Sequence, residues 1–117
     1  MKEVYTYTFD QTAPTKITNV RSLVVGPSWR PDLRAILFTS YKEHQPKLFQ
    51  VDLASRGVSR LIAGPGTWIG GAWSPDGSKL YAANGLTNDV TIIDVATLKA
   101  EKSVPVGRLP WGIAIKP

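Results

Sequence analysis

The chain has 117 residues, of which 43% are hydrophobic and 20% charged, with a formal net charge of +5 and no cysteine. Such a composition excludes disordered and membrane-embedded classes, and the length suits one small domain with a modest core. Lys42, Lys47, Arg56, Lys79, Lys99 and Lys102 each fall near a turn with acids interspersed, which reads as a solvated rim and argues against a nucleic-acid platform.

At the amino end, "MKEVYTYTFD" has a charged start but no apolar segment, so neither a signal peptide nor membrane insertion is expected. Short apolar runs follow one another from there: "EVYTYTF", "SLVVGPSW", "RAILFTS", "KLFQVDL", "SRLIA", "WIGGAWS", "KLYAAN", "DVTIIDV", "EKSVPV" and "WGIAIK". Their Val, Ile, Thr and aromatic content, with Gly and Pro between them, predicts strands. "DVATLKAEK" carries too few apolar positions to sustain a helix. The chain is expected to be all-β.

The runs recur. Placing "WRPDLRAILF" over "WSPDGSKLYA" aligns Trp29 with Trp73, Pro31 with Pro75 and Asp32 with Asp76 at a shift of 44, and Asp52 aligns with Asp94 at a shift of 42. Gly26, Gly70 and Gly112 coincide at the starts of three strands. Four strands in a repeat of about 40 to 45 residues is the period of a propeller blade, a four-stranded antiparallel sheet. The central strands, covered on both faces by stacking, should read as apolar runs, as "AILF" and "TIID" do. The shared glycine is expected to serve close approach at the crowded axis. In Ser74-Pro75-Asp76-Gly77, proline presets the second turn position and glycine suits the fourth. Arg30-Pro31-Asp32-Leu33 is the same turn without the glycine.

About two and a half blades are expected as one propeller segment: outer strands of a partial blade over 1–20, complete blades over 21–64 and 65–107, and an inner strand over 108–117. A closed ring takes about 4 to 8 blades. Either further sequence or self-association into a homo-oligomer would be needed to close this one.

"PSWRPDLRAILFTSYKEHQPKLFQVDLAS" resembles the TolB-type (WD40-like) propeller repeat, with its W-S-P-D-G turn, Phe-Thr-Ser strand and strand ending in Asp-Leu. "SPDGSKLYAANGLTNDVTIIDVATLKAEKSVPVGRLPWGIAIKP" is similar to the YVTN repeat, departing at Tyr81-Ala82-Ala83-Asn84 by an alanine where that family has valine. The resemblance implies a binding scaffold in a periplasmic or extracellular setting.

Candidate chemistry is sparse. His44 lacks a second ligand at metal spacing, no G-x-S-x-G elbow exists, and "GPGTWIGG" has the wrong spacing for a phosphate loop. Asp52 and Asp94 recur at matching strand ends, which points to a repeated turn hydrogen bond rather than catalysis. No catalytic residue, metal or cofactor is expected. The candidate binding residues are Trp68, Arg108 and Trp111, which, with Gly66, Thr67 and Leu109, could meet the loops "YKEHQP" and "GLTND" on one face. Trp and Arg are favoured interface anchors. The alternative is that both tryptophans pack between blades as core.

The expected function is a noncatalytic binding or scaffold module for a protein partner, a small ligand or a second copy. The alternatives are an accessory domain of an enzyme, such as a peptidase or a quinone-cofactor system, and a surface-layer assembly protein.

Overall fold

The structure is a computed structural model that describes residues 2–61, 67–110 and 113–116. Those residues form three antiparallel sheets. The first pairs β1 (Tyr5–Thr6) with β2 (Thr15–Lys16). A four-stranded meander follows: β3 (Val24–Trp29), β4 (Ala35–Ser40), β5 (Lys47–Asp52) and β6 (Val58–Arg60). The second meander repeats it: β7 (Ile69–Trp73), β8 (Lys79–Asn84), β9 (Asp89–Asp94) and β10 (Lys99–Pro105). Pairing registers repeat as well. Tyr5 opposite Lys16 stands 44 residues before Phe49 opposite Arg60, so β1 and β2 occupy the places of β5 and β6.

Alternation along each strand sends successive side chains to opposite faces. In β4 every residue is buried, because the first meander is sandwiched. Ile36, Phe38, Phe49 and Val51 pack against Val4 and Ile17 from the N-terminal hairpin, and Phe38 stacks on Phe49 with centroids 6.0 Å apart. On the other face, Leu37, Leu48 and Leu61 meet Trp68, Trp73, Leu80, Ala82 and Ile93 of the second meander. Strand β9 differs from expectation: Thr91 and Ile93 are buried, but Val90 and Ile92 are only half-buried. The second meander is packed on one face by the first, and its other face is covered less.

The shared glycines act otherwise than expected. Gly26 and Gly70 have φ of +62° and +71°, and the pairing register slips at each of them. A Cβ on Gly26 would meet nothing within 4 Å. Both positions demand a left-handed backbone at a β-bulge, and at Gly26 no close approach accompanies it. Gly112 lies outside the described residues.

The β3–β4 and β7–β8 turns close by the same hydrogen bond, Leu33 N to Arg30 O at 2.8 Å and Gly77 N to Ser74 O at 2.9 Å. Both fourth residues are left-handed, Leu33 at +62° and Gly77 at +75°. A leucine side chain costs about 1–2 kcal/mol there, and Leu33 is largely exposed. Leu33→Gly should therefore raise stability by about 0.5–1 kcal/mol after the entropy of glycine in the unfolded chain is charged against it. Denaturant unfolding would show this, and an unchanged or lower midpoint would refute it.

The repeated aspartates shape turns. Asp52 Oδ1 accepts from Ala54 N, Ser55 N and Ser55 Oγ, and Asp94 Oδ2 accepts from Thr97 Oγ1. Asp76 is held most firmly, accepting from Ser78 N, Ser78 Oγ and Ser74 Oγ, which lowers its pKa to about 2. A depressed carboxylate stabilises the fold above its unfolded pKa, and that contribution disappears as pH falls from 3.8 towards about 2. Melting temperature should accordingly drop less steeply across that window in Asp76→Asn than in the parent. Parallel curves would show that Asp76 contributes nothing.

Candidate functional site

The connections β4–β5 and β8–β9 share one end of the molecule with the segments that lead into and out of the second meander. Local hydrogen bonds draw them together. Trp68 N donates to Pro46 O at 3.1 Å, joining the entry of β7 to the β4–β5 loop. In the second repeat Asn88, itself left-handed at φ +58°, accepts from Val106 N through its carbonyl and from Leu109 N through Oδ1, both at 2.9 Å. An asparagine suits that place, because its short polar side chain tolerates the left-handed region and bonds nearby backbone.

These contacts shape an apolar cleft of about 140 Å³ lined by Thr67, Ile69, Gly85, Leu86, Leu109 and Pro110. Leu86 and Leu109 stand 74% and 53% exposed at its rim. The lining offers one hydroxyl and no group that titrates near neutral pH. It is built to cover apolar surface.

The expected site residues part company here. Arg108 is exposed beside Leu109. Trp68 is 8% exposed and belongs to the core between the meanders, its indole Nε1 buried without a hydrogen-bond partner. Trp111 and Gly66 lie outside the described residues. Of the residues and loops named from the sequence, Thr67, Leu109 and the Gly85-Leu86 start of the "GLTND" loop line the cleft; Ile69 and Pro110 join them without a signal of their own. Leu86, a large apolar residue in the otherwise polar "GLTND" loop, was the available signal. His44 sits exposed in a tight turn, its N donating to Tyr41 O at 3.0 Å. Among the described residues no three His, Cys, Asp or Glu side chains gather as metal ligands, and no helix is long and apolar enough to cross a membrane.

Comparison with known proteins fits the two repeated meanders into a known architecture. No protein-family model matches the chain. The Tol-Pal system protein TolB of Anaeromyxobacter sp. (strain K) is 30% identical over 102 residues, 86% of this chain but 23% of that relative. Among solved structures, TolB from Acinetobacter baumannii superposes with a TM-score of 0.69 at 21% identity, over 80% of this chain and 24% of that one. Kuenenia stuttgartiensis hydrazine synthase gives 0.69 at 22% identity, over 96% of this chain and 30% of that one. The meanders are blades of a β-propeller. Their repeats are TolB-like, and the chain spans under a quarter of the TolB relative it matches. Because the fold occurs in an enzyme structure too, architecture alone does not separate binding from catalysis.

Proposed function

We propose that this chain is a noncatalytic β-propeller module that binds a protein partner at the loop-end cleft, in a periplasmic or extracellular setting. The observation that carries this reading is the cleft itself, apolar but for the Thr67 hydroxyl, with Leu86 and Leu109 exposed at its rim and Arg108 beside them. Covering one such leucine fully contributes roughly 1.5–3 kcal/mol, and an arginine at the edge supplies directional polar contacts. Similarity to a Tol-Pal system protein supports the envelope setting and a role inside a multi-protein system. The segment can fill its place as part of a longer propeller or with a second copy.

A photoreactive residue in place of Leu86, compared with one in place of Leu98, tests this in the native cell envelope. Leu98 is also exposed but sits in the β9–β10 turn at the opposite end. A discrete heterologous protein adduct from position 86 and none from 98 is the expected result. Equal labelling from both, or none from either, would defeat the proposal, and an adduct of two copies of the chain would instead favour the assembly reading.

A further inference from the structure

Far from the loop-end cleft along the sequence, three cations converge that composition alone had left dispersed. An open cleft of about 640 Å³ lies between the N-terminal hairpin and β3, lined by Lys2, Glu3, Tyr5, Lys16, Asn19, Arg21 and Val24. Lys2, Lys16 and Arg21 reach it from three separate stretches of chain, and none of them takes part in the ion pairs formed among the described residues. Arg56 stands close by, its guanidinium donating to Lys16 O at 3.0 Å.

The one acid in the cleft is already engaged. Glu3 Oε2 accepts from Thr18 Oγ1 and, at 3.0 Å, from Val20 N, while Oε1 accepts from Arg21 N at 2.8 Å. Those bonds fix the 18–21 turn and hold Arg21 at φ +56°, so its backbone is positioned before any ligand arrives. Three cations against one carboxylate leave two positive charges around a polar, open space, with Tyr5 and Asn19 as neutral donors. A dianion matches that balance better than a single carboxylate would. A tetrahedral one can also receive donors from several directions at once.

We infer that the cleft formed by Lys2, Lys16 and Arg21 binds a phosphate group, carried either by a soluble ligand or by a lipid headgroup. Inorganic phosphate is the first probe. In a low-salt NMR titration of the full chain, saturable amide shifts should concentrate at Lys2, Tyr5, Lys16, Asn19 and Arg21, with a Kd of about 1–10 mM. The triple substitution Lys2→Gln, Lys16→Gln and Arg21→Gln should weaken binding about tenfold or more. The control Lys42→Gln, Lys99→Gln and Lys102→Gln removes the same charge elsewhere and should change it by less than about twofold.

Sedimentation with phosphatidylcholine vesicles, with and without phosphatidylglycerol, then separates the sources. Vesicle binding lost in the first triple variant alone assigns a headgroup; phosphate binding without vesicle binding assigns a soluble phosphate. Shifts spread over all exposed lysines, equal loss in the control, or binding to neither probe would overturn the inference. Melting temperatures of both variants, read alongside, show whether the fold is intact.

Discussion

Phe38→Ala is expected to lower the free energy of unfolding by about 3–5 kcal/mol, a large share of what a domain of this size has. Phe38 is fully buried, and its ring stacks on Phe49 in the cluster that fastens the N-terminal hairpin to the first complete blade. Deleting the ring leaves a cavity that two rigid sheets cannot close. The hairpin, joined by a ladder of only two residue pairs, depends on that cluster more than either meander does. Hydrogen exchange should therefore rise first at Val4 and Ile17, whose amides donate to Thr18 Oγ1 and Val4 O. Loss of protection spread evenly through the second blade, or a cost below about 1 kcal/mol, would contradict this placement of the core.

Its neighbour Leu37 points the other way, into the seam between blades, and Leu37→Ala should cost about 2–5 kcal/mol. The seam supplies a sharper test than magnitude. A Cβ on Gly71 would sit 2.7 Å from Leu37 Cδ2 and 3.6 Å from both methyls of Leu48. Gly71→Ala alone should thus destabilise by overpacking, about 1–3 kcal/mol. In the Leu37→Ala background the obstructing methyl is gone and the added carbon fills part of the void. The two changes should cost less together than their separate costs summed, and strict additivity in denaturant melts would mean that these residues do not share one seam.

What could be read in advance divides along physical lines. Residues governed by local rules announced themselves: Pro31 and Pro75 at second turn positions, Asp32 and Asp76 beside them, Asp52 and Asp94 at strand ends. The hydrogen bonds that need those side chains lie within a few residues. Blade architecture followed from their spacing. Gly26 and Gly70 are ambiguous in the sequence, because a glycine admits both a close approach and a positive φ, and only the backbone, at +62° and +71°, shows the second. For Trp68 the core alternative is the one the backbone favours. The extra residue at the Gly70 bulge resets the alternation of faces, so Trp68 turns into the seam with Gly71 and Trp73 while Ile69 goes to the cleft. The meeting of Leu109 with the "GLTND" loop follows from the blade repeat, whereas the cleft that joins Lys2 to Arg21 has no local signature.

The bulge at Gly70 also bears on how far the repeats are modular. Its amide, displaced from the ladder, donates to Thr39 Oγ1 in the preceding blade at 3.1 Å, where the threonine is fully buried. The residue 44 places on from Thr39 is Ala83, which has no hydroxyl to give. The two blades are therefore not interchangeable parts. A shuffled chain with the second blade ahead of the first would set Ala83 against the bulge at Gly26 and leave the Gly70 amide without its Thr39 acceptor. Blade order is written into a side-chain hydroxyl as well as into the connecting loops.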